Sequence, residues 1–203
     1  MVGAPQRLRR SAFGAAGRAA WLAAALFASG ACAQSLVATG ACRDGLPNGM
    51  YELRTKDGAL RVAGAFAMDR ATGTFVFWTA AGARIAVIPY DEAARSGTVA
   101  AWHVDAHAAT EVSHRLEAPY VAGLRHGTSR SWHYNGGQRG EYVYEHGRLV
   151  DARGWTKAGV ALPTAAANAQ ADADFARDEQ FLRSLERLVA DHKPRCADRT
   201  AAR

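Results

Sequence analysis

Acidic residues are missing from the first 33 positions of this 203-residue chain, cysteine is scarce, and the common catalytic signatures are absent. There is no Gly-x-Ser-x-Gly elbow, no P-loop and no Cys-x-x-Cys pair. Those absences speak against an α/β-type serine hydrolase, a P-loop nucleotide hydrolase and a dithiol oxidoreductase. The apolar stretch Ala19–Ala28 falls short of the roughly 20 residues that a bilayer-spanning helix requires. Cationic residues carry less meaning than their number implies. Arg7, Arg9, Arg10 and Arg18 all lie in the acid-free opening segment, and without it the formal charge drops from +6 to +2. No clustered basic face remains, so nucleic acid is not an expected partner.

The opening 33 residues do have an order. A basic stretch at Arg7–Arg10 precedes an apolar run with Trp21, Leu22, Leu26 and Phe27, and small residues follow. That is the layout of a secretory signal peptide. Two processing patterns fit it. Ala31-Cys32-Ala33 before Gln34 suits cleavage and release, whereas Ser29-Gly30-Ala31-Cys32 resembles a bacterial lipobox in which Cys32 would carry the lipid. The expected location is periplasmic or secreted, with a lipid anchor in the outer membrane as the alternative. Export leaves Cys42 and Cys196, which are expected to form one disulfide. An intermolecular bridge or two free thiols are the alternatives.

Spacing organises the rest. Gly73-Thr74 precedes Trp78, Gly97-Thr98 precedes Trp102, and Gly127-Thr128 precedes Trp132 at one fixed interval. Seven residues before those glycines stand Phe66, Tyr90 and Tyr120, and nine residues after them stand Gly82, Ala106 and Gly136. Gly49 leads an earlier copy, with Arg54 in the tryptophan position and Gly58 after it. The period is 24 residues from Gly49 to Gly73 and from Gly73 to Gly97, and 30 from Gly97 to Gly127. About six residues are therefore inserted after Trp102. A last copy holds Tyr142, Tyr144, Gly147, Gly154 and Trp155. A period in this range marks an array of small stacked units. Each unit reads as a β-hairpin. In the second, alternation places Thr74, Val76 and Trp78 on one face and Phe75 and Phe77 on the other. Thr79–Gly82 turns the chain and Ala83–Ile88 returns it. Asn135-Gly136 predicts a tight turn with both residues at positive φ, and another turn is expected at Glu145-His146-Gly147.

Units with Gly-x-x-x-x-Trp, then Gly, then an aromatic before a further Gly resemble MORN repeats, in particular the bacterial antitoxin-like variant. Gly127, Trp132, Gly136, Gly140-Glu141-Tyr142 and His146-Gly147-Arg148-Leu149 carry the likeness best. It covers about residues 45–160 and departs at Arg54, at Ala106 and at the insertion. The resemblance implies one elongated antiparallel sheet acting as a binding or scaffolding surface.

After Val160 the pattern changes. Residues 161–173, rich in alanine with Pro163, read as a linker, and residues 174–193 as an amphipathic helix. Phe175, Phe181, Leu182, Leu185, Leu188 and Val189 supply its apolar side. The expected division is thus a signal peptide at 1–33, an N-terminal segment at 34–48 and hairpin repeats at 49–160. The repeats break at about 49–72, 73–96, 97–126 and 127–160. The linker, the helix and a tail at 194–203 follow. The fold class is mainly β, a single antiparallel sheet of stacked hairpins capped by a C-terminal α-helix. Trp78, Trp102, Trp132, Tyr90 and Tyr120 form the candidate aromatic binding surface, for an envelope protein, a glycan or a lipid surface. No cofactor and no catalytic residue is expected. The alternative is a metal-dependent enzyme or metal-binding protein using His103 and His107 near the insertion, residues 103–114, because an i, i+4 histidine pair can ligate zinc. Membrane contact is expected only through a lipidated Cys32.

Overall fold

In the computed structural model the described residues are 35–105 and 110–197. The expected signal segment with Cys32, the tip of the insertion with Ala106 and His107, and the last six residues lie outside them. From Leu36 the chain runs as one meander. The strands are β1 Leu36–Arg43, β2 Leu46–Thr55, β3 Leu60–Ala67, β4 Arg70–Trp78, β5 Arg84–Asp91, β6 Ala94–Arg95, β7 Gly97–Asp105, β8 Thr110–Val121, β9 Leu124–Arg125, β10 Gly127–Trp132, β11 Gln138–Glu145 and β12 Arg148–Gly154. All join a single open antiparallel sheet in the order β1-β2-β3-β4-β5-β7-β8-β10-β11-β12, with β6 paired to β5 and β9 to β8. One helix, α1 Thr164–Asp191, follows.

The repeat fixes the geometry of both ends of every hairpin. At one end Asp44-Gly45, Met68-Asp69, Glu92-Ala93, Ala122-Gly123 and His146-Gly147 turn the chain, and every one of these residues has positive φ. Two-residue loops of this kind match the right-handed twist of the strands they join. At the other end the turns are longer. Gly82 N donates to Thr79 O and Thr79 N to Ala83 O, and the same pair of bonds recurs at Thr55/Gly58/Ala59, His133/Gly136/Gly137 and Thr156/Gly159/Val160. Asn135-Gly136 therefore closes a four-residue turn, His133–Gly136. Of that pair only Gly136 takes positive φ, because the hydrogen bonds close around His133 and leave Asn135 in the ordinary region.

A bulge sits at one fixed place in each of four units. Phe77 pairs with Ala86 but Trp78 with Arg84, which leaves Ile85 extra. The same slip leaves Arg115 extra beside Trp102, Arg139 beside Trp132 and Arg61 beside Arg54. A bulge re-aims side chains and raises the local twist. The described residues of the insertion continue the strands on either side of it. They lengthen the β7–β8 hairpin, adding the pairs His103–Ser113, Val104–Glu111 and Asp105–Thr110.

Among the described residues only one sheet face is covered. Tyr51, Leu53, Val62, Phe66, Phe75, Phe77, Ile88, Val99, Leu116, Tyr120, Tyr142 and Tyr144 are buried there against the helix residues Ala167, Ala171, Leu182, Leu185 and Val189. The expected split of β4 holds, with Phe75 and Phe77 under the helix and Val76 and Trp78 on the far side. Two boundaries move. The segment before residue 49 already contains β1 and the start of β2. The helix begins at Thr164, so most of the expected linker is its first three turns. Alanine is the best helix former, and Pro163 is tolerated at a helix start. Small side chains also serve contact, since a Cβ on Gly154 would fall 2.8 Å from Gln170 Nε2 and 3.5 Å from Ala167 Cα. The segment lacks large apolar residues because the helix lies too close to the sheet to admit them.

Cys42 and Cys196 are joined in a disulfide across a sequence separation of 154. Near it the chain after the helix crosses β1. A Cβ on Gly40 would lie 2.6 Å from Pro194 Cγ, and Tyr51 Oη donates to His192 O at 3.0 Å.

Candidate functional site

The five aromatics of the expected surface fall on two faces. Tyr90 and Tyr120 face the helix. Tyr120 is 2% exposed, and its hydroxyl donates to Glu179 at 2.6 Å, while Tyr90 donates to Glu186 at 3.0 Å. They are absent from the open surface because alternation puts residues seven before each glycine on the strand face that also carries the core. Trp78, Trp102 and Trp132 stay together on the open face, half-buried and on successive units.

Two of the three tryptophan rings, Trp102 and Trp132, are in contact with a cationic or imidazole group. The Arg84 guanidinium lies 4.0 Å above Trp102, and His114 stands edge-on to both Trp102 and Trp132 at centroid distances of 5.4 Å. Arg84 is held by two bonds to Glu111, at 3.1 and 3.2 Å, and His114 Nδ1 lies 3.0 Å from Glu117. The result is a ladder of alternating cationic or imidazole groups and indoles, with carboxylates along it. Such contacts use the ring quadrupole and leave ring edges and charged tips outward. The tryptophan carbonyls are also taken. Arg61 Nε donates to Trp78 O, His103 Nε2 bonds Trp132 O and His133 Nε2 bonds Trp155 O, each at 3.0 Å. These bonds tie neighbouring units together. His103 thus has a structural partner and also stands edge-on to Tyr134 at 5.5 Å. His107 lies outside the described residues. Among the described residues no three His, Cys, Asp or Glu side chains gather as a metal site would require.

Under the helix lies a second constellation, which the sequence reading missed. Asp174 and Asp178 are buried on the sheet-facing side, 0% and 1% exposed. Asp174 accepts from Arg139 Nε at 2.9 Å, Tyr142 Oη at 2.8 Å and Ser131 Oγ at 3.2 Å. Burial pushes its carboxyl up, but those hydrogen bonds and the Arg177 and Arg139 charges outweigh burial and hold it below the usual range. Asp178 accepts from Arg115 at 3.0 Å and from Arg125 at 3.5 Å. There burial dominates, the arginines offset it only in part, Asp174 adds repulsion, and the carboxyl is raised. Arg95 bridges Glu179 and Glu186 through bonds of 2.8–2.9 Å. Tyr120 is pushed up to about 12, chiefly by burial. A hydroxyl so far from ionisation is a permanent hydrogen-bond donor here.

The chain matches no protein-family model and no curated protein. Chemistry must therefore be read from the surface itself. Asp174, Asp178 and Glu179 lie beneath the helix and are each bonded to arginine, Asp174 and Glu179 also to tyrosine, so they tie helix to sheet.

Proposed function

We propose that the protein is a non-catalytic binding or scaffold module of the bacterial cell envelope, built from MORN-type hairpins, and that the open face of the sheet holds its partner. The observation that carries this reading is the asymmetry of the sheet: among the described residues one face is covered by a helix, and the other carries the row Trp78, Trp102 and Trp132 without such a cover. A half-buried aromatic row flanked by Arg84, Glu111, His114 and Glu117 suits a polar partner such as a protein or glycan surface better than acyl chains. The hairpin period, the turns at both ends and the fixed bulge support the repeat type. The Cys42–Cys196 disulfide is compatible with a compartment outside the reducing cytoplasm. The signal-peptide reading narrows that to the periplasm or the exterior, with an outer-membrane tether if Cys32 is lipidated.

In-cell photocrosslinking tests the reading. Benzoylphenylalanine is placed at Val76 or Ala100 on the open face, and at Ser184 or Arg187 on the helix's solvent side. One discrete adduct from the open-face positions alone is expected. No adduct, or equal adducts from both sides, overturns the assignment of the face. Mass spectrometry of the mature amino terminus separates a lipidated Cys32 from a free Gln34. Stoichiometric zinc, nickel or copper in the purified protein favours the metal alternative.

A further inference from the structure

The repeat places equivalent side chains at equivalent depths, and at one of these places two units carry arginine while the unit before them carries Ala71 and the unit after them Leu149. Two residues after its two-residue turn, β6 carries Arg95 and β9 carries Arg125, and both point under the helix. Each guanidinium occupies a slot between aromatic rings of neighbouring units. Arg95 lies 5.3 Å from the Tyr120 ring and is bonded to Glu179 and Glu186. Arg125 lies 5.8 Å from Tyr120, 5.5 Å from Tyr144 and 4.8 Å from Phe175, and faces Asp178. The aromatic stands five residues before the arginine both times, Tyr90 before Arg95 and Tyr120 before Arg125. One unit earlier the pattern continues with Phe66, then the Met68-Asp69 turn, then Ala71.

The Ala71 methyl is too short to fill the slot, and a cavity opens there. Its volume is about 280 Å³, and it is walled by Phe66, Phe75, Tyr90, Glu186 and Asp69. Phe66 and Tyr90 stand where Tyr90 and Tyr120 stand around Arg95. The Glu186 carboxylate accepts from Arg95 through both oxygens and from Tyr90 Oη, and with the side chain about a third exposed it still presents negative charge to the cavity wall. At the rim Lys193 Nζ lies 2.6 Å from Asp69 and 5.6 Å from the Phe66 ring centroid. The chain thus already sets an ammonium at the mouth of the slot while its depth stays open.

We propose that this cavity is a binding site for a guanidinium group, taken from outside where the neighbouring units supply their own. It lies on the opposite side of the sheet from the tryptophan ladder, so its failure leaves the open-face reading standing, and the converse holds too. Aromatic walls and a carboxylate attract a planar cation and give nothing comparable to a neutral isostere of the same shape. The volume is just below the usual range of small-molecule pockets, roughly 300–1,000 Å³, which suits one side chain or one small molecule.

The test is NMR titration of the full mature protein, following the amides of Ala71, Ala93 and Ala190. The probes are N-acetyl-arginine amide, for a chain-borne group, and free L-arginine, for a small molecule, each against its citrulline counterpart. At least one arginine probe is expected to shift those amides and to bind about tenfold more tightly than its citrulline form, the equivalent of about 1.4 kcal/mol. The preferred probe identifies the source. A second arm uses Ala71→Arg, which is expected to fill the slot from within, abolish the titration and raise Tm. Wild-type protein that binds neither arginine probe, or binds citrulline as well, overturns the proposal. So does a folded Ala71→Arg variant that still binds.

Discussion

The pair Arg125 and Asp178 offers the sharpest check on how the helix is held to the sheet. Both side chains are 1% exposed, their contact is 3.5 Å, and Arg125 Nη1 has no hydrogen-bond partner. Arg125 Nε does donate to Tyr120 Oη at 3.0 Å. Breaking a buried ion pair by removing one member costs about 3–5 kcal/mol, because the other charge stays buried without compensation. Arg125→Met retains bulk against Phe175 and leaves Asp178 with Arg115 and Arg177, so the low end applies, about 3 kcal/mol. Asp178→Asn leaves Arg125 charged beside a hydroxyl alone, again at about 3 kcal/mol. The double variant removes both charges together. It is expected to lose about 3 kcal/mol in place of an additive 6, a coupling at the upper end for side chains in contact. Urea denaturation followed by far-UV circular dichroism measures all four proteins, provided that they share one m-value. Additive losses, or single variants within about 1 kcal/mol of wild type, would refute the view that this pair is coupled and sealed.

The same structure sets further outcomes. Reducing the Cys42–Cys196 bond, or replacing both cysteines with serine, should lower stability by about 2–5 kcal/mol, given the length of the loop that it closes. Melting curves with and without reductant measure this. Leu182→Ala empties a fully buried position between helix and sheet and should cost about 2–5 kcal/mol in the same urea assay. Asp174 and Glu179 have lowered folded-state values, so they stabilise the fold above the ordinary carboxylate range and lose that contribution as pH falls through their folded-state values. Asp178 is raised, so it acts in the opposite sense as pH rises. Wild-type stability should therefore fall on acidification below about pH 4, and Asp174→Asn should flatten that fall. Glu92→Asn with Ala93→Gly relieves two residues with φ of 46° and 70° and should raise stability by about 1 kcal/mol, read as a shift in the urea midpoint.

Much of the sheet was legible because a repeat reports on itself. The interval from glycine to tryptophan marks the strand that ends in each bulge, and the 24-residue period marks the hairpin. Cysteine scarcity pointed to the bridge from Cys42 to Cys196. The helix was harder to place. Its buried positions are Ala167, Ala171, Asp174, Asp178, Leu182, Leu185 and Val189. They advance by four and three residues, as one stripe of a helix should. Alanine and aspartate hid the first half of it, because large apolar side chains begin only at Phe175 and resume at Phe181. The matching cations were visible in principle, since Arg95 and Arg125 hold the same place in their units. The choice of face for the tyrosines was not visible, because half-buried aromatics suit either side of a pleated strand equally well. The histidine ladder depends on contacts between units, which periodicity alone does not pair.

The bridge between Cys42 and Cys196 also decides where mechanical tension would run. Both cysteines lie at the margins of the folded body, six residues into β1 and five beyond the end of the helix. Pulling on residues 35 and 197 would peel Leu36–Ala41 from the edge and then load the sulfur–sulfur bond. Force would pass from one cysteine to the other and out along the tail. The array from β2 to α1 lies inside that covalent loop and would carry none of it. An open meander normally unzips strand by strand from its edges when stretched. Here the hairpins would keep their shape under load, and a partner seated on the tryptophan face would be held by a surface that tension does not reach.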